Sequence, residues 1–344
     1  MTTVPLISLA AFLGYLSEDT PAVSKPVRVL GNDANEYLLK TQMAYDESSM
    51  SYINLNNSFI NEFIAYCIGV HIGLPQPSIA ITNVQKDFLD DNPTLVFNNR
   101  FKVGPHFSSQ YIEDSERNLM QDYALLIEAG KKHLRKPWPK FFGSLLNSED
   151  VPLIIAFDFF IANKDRFAHP DNYLLIGNDS NSHTILAIDH GHAFGSPFWD
   201  IEKQTYLHNA MNYSMEEYCK WFVNQFVLYN QRQLRGNIFN LNGFGDIFKA
   251  LDQHIDLTDI NNHSFIEPME RINSITPNHI ENWLNQIPKE WYVDEVNQRV
   301  FYRNFIMHQI QALPHIIQYV AFTRGFENYT GGILKWKGQN TGTQ

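Results

Sequence analysis

Near residue 100 the hydrophobic periodicity of this chain changes, and that switch constrains its fold more than any other feature. Before it, short β-prone runs alternate with turn formers. Val27, Val29 and Leu30 lead into Gly31-Asn32-Asp33-Ala34-Asn35, and Tyr37, Leu38 and Leu39 lead out to Lys40, so residues 26–40 read as two strands around a tight turn. Phe59, Phe63, Tyr66, Cys67 and Val70 recur at helical spacing over 56–73, with Asn57 or Ser58 to cap the start and Gly73 to end it. Residues 79–84 and 94–97 read as further strands. Beyond residue 100, helical spacing dominates at roughly 115–130, 149–162, 214–233, 244–253, 277–286 and 290–322. One strand pair interrupts it, 172–176 and 183–188 around a polar turn, which reads as a hairpin. The expected fold is therefore α+β, with a small β-rich part over 1–100, a larger helical part over 101–334 and a polar, frayed tail over 335–344.

The 344 residues suffice for a large core without disulfide staples. Lys and Arg total 26 against 37 Asp and Glu, a net charge of −11 that speaks against anionic membranes and direct nucleic-acid binding. The two cysteines, Cys67 and Cys219, lie in apolar or aromatic surroundings and fit no metal or redox spacing, as expected of buried thiols in a reducing compartment. No apolar run approaches the length of a membrane span, and residues 1–6 carry no basic secretory start. A cytoplasmic protein is the expectation.

Reaction-competent residues concentrate in two places. Asn163-Lys164-Asp165-Arg166-Phe167-Ala168-His169-Pro170-Asp171-Asn172 follows an apolar helix, and Asp189-His190-Gly191-His192-Ala193-Phe194 ends an apolar strand. That arrangement suits phosphoryl transfer, which needs an Asp beside the attacking hydroxyl, oxygen ligands for Mg²⁺ and a Lys on the phosphates. Asp165 is the candidate catalytic residue. Asn172 and Asp189 are the candidate ligands of Mg²⁺, with Asp171 a competitor of Asn172. Lys40, leaving the Gly31 turn, is the candidate for binding ATP, and Glu62 on the following helix is its candidate partner. His190 or His192 could hold Asp189 in place.

These residues resemble the compact HipA-like kinases, distant relatives of protein kinases and phosphatidylinositol kinases. The Gly31 hairpin with Lys40 is similar to the family's phosphate loop and ATP lysine. Asn61-Glu62, followed by Gly73-Leu74-Pro75-Gln76-Pro77, is similar to its next helix. Phe157-Asp158 with Asn163-Lys164-Asp165-Arg166 resembles its catalytic loop, and Asp189-His190-Gly191-His192-Ala193-Phe194 its metal-binding segment. Two weaker likenesses follow the same order, Gly104-Pro105-His106-Phe107-Ser108-Ser109-Gln110 and Ile287-Pro288-Lys289-Glu290-Trp291. The resemblance implies a two-lobed, protein-kinase-like fold with ATP in the cleft, its adenine near Phe97, and Mg²⁺ as cofactor. It implies transfer to Ser or Thr of a protein substrate, a possible regulatory protein partner and a toxin-antitoxin, defence or regulatory setting. Arg166 belongs to the set as a residue that positions the others.

The sequence departs from the family in three ways. Phe167 stands where the family loop usually has His. Asp165 and Asn172 are seven positions apart, with Pro170 at the usual protein-kinase spacing. The 31–37 turn holds no Ser or Thr, so the family's self-inactivation on a loop serine is not expected, and a start close to the kinase core speaks against a DNA-binding antitoxin partner. Two other readings compete. One is a nucleotide-binding pseudokinase that serves as a scaffold. The other keeps the site but phosphorylates a lipid or small molecule, or transfers AMP.

Overall fold

The computed structural model describes residues 2–16, 25–46, 49–112, 138–179, 182–209, 212–233 and 243–337. Five strands close into a barrel in the order β1 (Leu6–Tyr15), β2 (Val27–Gly31), β3 (Glu36–Leu39), β7 (Gly104–Gln110) and β6 (Ile79–Val84), the last pairing in parallel with β1. Val27 and Val29 alternate inward on β2, and with Ile7, Tyr37, Leu39, Ala80 and Val84 they fill the barrel. The expected 26–40 hairpin is present, and its turn is stapled by side chains. Asp33 accepts from the Asn35 amide at 3.2 Å and from the Tyr37 hydroxyl at 2.7 Å. A Cβ on Gly31 would stand 2.5 Å from an Asp33 oxygen, so a side chain here would displace the Asp33 carboxylate from the turn it staples. A second hairpin, β4 (Met43–Asp46) with β5 (Ser51–Asn54), leads into α1 (Ser58–Ile72). Gly73 closes α1 at φ 76°, with the Leu74 amide returning to the Gly69 carbonyl.

Residues 94–97 are not a strand. After α2 (Lys86–Asp91) they belong to a short helix, α3 (Pro93–Phe97), because Pro93 at its first turn fixes φ for a helix and gives no strand donor. Only Leu95 of α3 is buried, and Phe97 is 69% exposed. The expected helix over 115–130 lies outside the described residues.

The helical part is built around α5 (Val151–Phe160), which follows α4 (Trp138–Gly143) and is buried along its whole length. The hairpin after it is β8 (Tyr173–Asp179) with β9 (Ser182–Ala187), Tyr173 opposite Ala187. Then come α6 (Ile201–Asn209), α7 (Met215–Gln233), α8 (Asp246–Asp252), α9 (Ile266–Asn273), α10 (Pro277–Leu284) and α11 (Glu295–Phe322). The last helix begins five residues later than its sequence pattern, where Asp294 accepts from the Asn297 amide as its cap. It packs on α5, α6 and α7. The barrel interior is a cluster of its own, while Ile79, Ile81 and Phe107 of the barrel join α1 in the core of the helical part. Phe59 and Phe63 meet the Trp291 ring, and Trp291 Nε1 donates to the Pro105 carbonyl of β7 at 2.8 Å. Among the described residues, no helix is long and apolar enough to cross a membrane.

Candidate functional site

Asp158 is the one charged residue of α5, and it is fully buried. An isolated carboxylate there would be costly, and the loop after the helix supplies its partners. Ala162 takes a left-handed φ of 52°, which turns the chain so that Asn163 Nδ2 donates to Asp158 Oδ1 at 3.1 Å. Arg166 Nε donates to the same oxygen at 2.9 Å, and neither side chain of this pair is exposed. Burial still pushes the Asp158 carboxyl up to about 6, against the pull of Arg166.

The rest of the Arg166 guanidinium ties the two motif segments together. Nη1 donates to the Asn172 carbonyl and, at 2.8 Å, to that of Ile188, while Nη2 meets His190 Nδ1 at 2.7 Å. His190 Nδ1 must therefore be an acceptor. Burial, Arg166 and Lys40 hold this imidazole well below its usual pKa, Asp189 pulling the other way. Through Nδ1, His190 ties the 188–190 segment to the Arg166 guanidinium. His192 is exposed and close enough to favour the ionised form of Asp189.

Lys40 lies just past the end of β3, its amide bonded to the Phe107 carbonyl of β7 at 3.0 Å. Its Nζ stands 2.6 Å from Glu62 Oε1 and 3.3 Å from Asp189 Oδ1. The other Glu62 oxygen accepts the His190 amide at 3.0 Å. Burial favours a neutral Lys40, but Asp189 and Glu62 outweigh it and keep the ammonium charged. Burial raises the Asp189 carboxyl, and Lys40 and His192 more than reverse this, holding it well below the usual range. Asp189 itself sits at φ 56°, a conformation that costs a non-glycine residue energy and here aims its carboxylate at Lys40. Gly31 stays within the hairpin turn, where a side chain would meet Asp33, Tyr37 and Ile7.

Asp165 receives Asn172 Nδ2 on Oδ2 at 2.8 Å and the Tyr229 hydroxyl, from α7, on Oδ1. His169 Nε2 is 3.5 Å from the same Oδ1. The structure thus links Lys40, Glu62, His190, Arg166, Asn172 and Asp165 in one chain of contacts. Sequence patterns pointed to all of these. They did not point to Tyr229, which shares α7 with the buried aromatics Tyr218, Phe222 and Phe226.

The donors available to a cation here are hard oxygens, on Asp189, Asn172 and Asp171. Asp171 Oδ1 is buried and accepts no hydrogen bond. Among the described residues, no cluster of three His, Cys, Asp or Glu side chains is placed to enclose a metal. This set fits Mg²⁺, which takes one or two protein oxygens and completes its shell with phosphates and water.

Behind Asp189, a buried amide network holds α1 to the loop. Asn61, next to Glu62, donates to the carbonyls of Gly191 (2.6 Å) and Ser196 (2.9 Å). Asn61 Oδ1 accepts from Lys203 Nζ at 2.8 Å, from Asn57 Nδ2 at 3.1 Å and from the Tyr302 hydroxyl. Asn57 thus stands at the cap of α1 without capping it by its side chain.

No family model and no curated protein matches the chain. Among solved structures it is similar to the Helicobacter pylori proinflammatory kinase CtkA, at 15% identity and a TM-score of 0.47 over 91% of this chain and 99% of that one. It is also similar to a Shewanella oneidensis HipA solved with HipB and operator DNA, at 11% identity and a TM-score of 0.39 over 95% of this chain and 69% of that one. Both belong to the group that the sequence motifs resemble.

Proposed function

We propose that this protein is a Mg²⁺-dependent ATP phosphotransferase with a two-lobed, kinase-like arrangement, acting in the cytoplasm on Ser or Thr of a protein. The observation that carries this is the single chain of contacts that places a charged Lys40, held by Glu62, against Asp189 and connects it through Arg166 to Asp165. In this reading Lys40 binds the α- and β-phosphates, with Gly31 keeping the hairpin turn tight beside them. Asp189, with Asn172 or Asp171, would hold Mg²⁺, which when bound neutralises charge on the transferring phosphates. Asp165 takes the proton of the attacking hydroxyl. In this reading the smaller lobe is the barrel with α1, and because β7 is one of the barrel strands we draw its boundary after Gln110.

The pseudokinase alternative draws partly on Phe167, and that ring does not obstruct the site. It lies among Phe159, Phe226, Phe244 and Phe248, so the residue that departs from the family pattern packs the core and does not enter the site. A regulatory protein partner is compatible with this reading.

The test is incubation with γ-labelled ATP, Mg²⁺ and a cell lysate. Wild type should label a protein, and Asp165→Ala and Asp189→Ala should each abolish labelling. Labelling that persists in both variants overturns the assignment. Product label from α-labelled ATP would mean AMP transfer, and label in a lipid or small molecule would replace the protein substrate.

A further inference from the structure

Both oxygens of Asp165 are engaged, but by donors of different kinds. Asn172 belongs to the same loop and orients the carboxylate. Tyr229 comes from α7, 64 positions along the chain, and presents a hydroxyl to Oδ1. A hydroxyl that donates to the candidate base stands within reach of the group that would take its proton, as an acceptor hydroxyl must. Other buried phenols of the helical part are used otherwise, Tyr218 donating to Gln309 and Tyr302 to Asn61. Tyr229 is only half-buried, and the Lys164 ammonium lies 6.0 Å from its ring centre, a cation close to where phosphate charge would arrive.

We infer that Tyr229 is a phosphoryl acceptor of this protein's own site. The inference rests on the phosphotransferase reading. Tyr229 Oη attacks the γ-phosphorus of ATP. The new Oη–P bond forms as the bond from phosphorus to the bridging β-oxygen breaks, ADP leaves, and the hydroxyl proton passes to Asp165 Oδ1 and then to water. The phosphorylated ring carries close to two negative charges and cannot keep its place against Asp165. Modification therefore frees the base for a hydroxyl from outside.

The test is incubation of the purified full chain with γ-labelled ATP and Mg²⁺, followed by intact mass and mapping of the phosphorylated peptide. One phosphate is expected on Tyr229, at a rate per molecule independent of protein concentration, and it should be lost in Tyr229→Phe and in Asp165→Asn. A wild-type protein that labels lysate proteins but carries nothing on Tyr229 overturns the inference and leaves the phosphotransferase reading standing. So does a Tyr229→Phe variant that labels lysate proteins faster while wild type stays unmodified at 229, since the phenol is then a plug. If wild type labels nothing and ATP–Mg²⁺ does not raise its melting temperature, both fall together.

Discussion

The ammonium of Lys40 stands 2.6 Å from Oε1 of Glu62, whose second oxygen accepts the amide of His190. Lys40 comes from the barrel, Glu62 from α1 and His190 from the loop after β9, so this one carboxylate joins three parts of the molecule. The lysine is thereby held in place by the fold itself. Its removal should have two separable effects.

Lys40→Met leaves Glu62 buried without its cation and close to the charge of Asp189. Removing one partner of such a pair should destabilise the protein by roughly 3 kcal/mol. The stabilisation by ATP–Mg²⁺ should vanish as well. Urea unfolding measures the first effect and a melting scan with and without nucleotide measures the second. A variant that loses stability but is still stabilised by nucleotide would show that Lys40 is only a strut.

Phe167 should behave as a core residue despite standing two positions from Asp165. Its ring is enclosed by four other phenylalanines. Phe167→Ala should cost about 3–5 kcal/mol. Phe167→His puts ring nitrogens where those neighbours offer no partner, and should cost roughly 1–3 kcal/mol. In both, ATP–Mg²⁺ should still raise the melting temperature. Abolished nucleotide stabilisation in a folded Phe167→His protein would place the ring in the site instead.

What the sequence made legible follows from how far apart the interacting residues lie. Asp165 with Arg166, and Asp189 with His190, are short runs whose residue types carry the chemistry, and the hairpin of residues 173–187 has a period of two and a polar turn. Strand β1 was not legible, because register shifts at Leu9/Ala11 and Phe12/Gly14 spoil its alternation. Strand β7 was read only as a motif, since its inward face includes Ser108, whose hydroxyl bonds that of Thr82 at 2.6 Å rather than packing as an apolar side chain. The 94–97 run has strand composition, but Pro93 ahead of it decides for a helix. Tyr229 sits on a helix whose aromatic spacing points to the core, and no local pattern distinguishes the ring that faces Asp165.

Both thiols should be inert in the native protein. Cys67 and Cys219 are buried, and burial pushes the Cys67 pKa up strongly and that of Cys219 up to about 12. Since the thiolate is the reactive form, a thiol reagent at pH 8 should titrate neither cysteine quickly, and both once denaturant is added. A fast-reacting thiol in folded protein would contradict the packing of α1 or α7.

The Arg166–His190 contact sets a pH dependence. His190 must stay unprotonated to accept from Arg166, and its pKa in the folded protein is well below the ordinary value. The unfolded chain therefore takes up a proton, near pH 6.5, that the folded chain refuses, so stability is complete above that pH and falls below it. His71, His106, His263 and His308 are also lowered and act in the same direction. Asp158 and Asp252, each raised to about 6, act against it, because the folded protein then holds protons that the unfolded chain releases. The share of His190 is thus read as a difference between wild type and His190→Gln, which keeps an acceptor for Arg166 but does not titrate. Between pH 7.5 and 5.5, wild type should lose up to about 1.4 kcal/mol more unfolding free energy than the variant. Urea midpoints at the two pH values measure this, and equal losses in the two proteins would mean that His190 is not held neutral by Arg166.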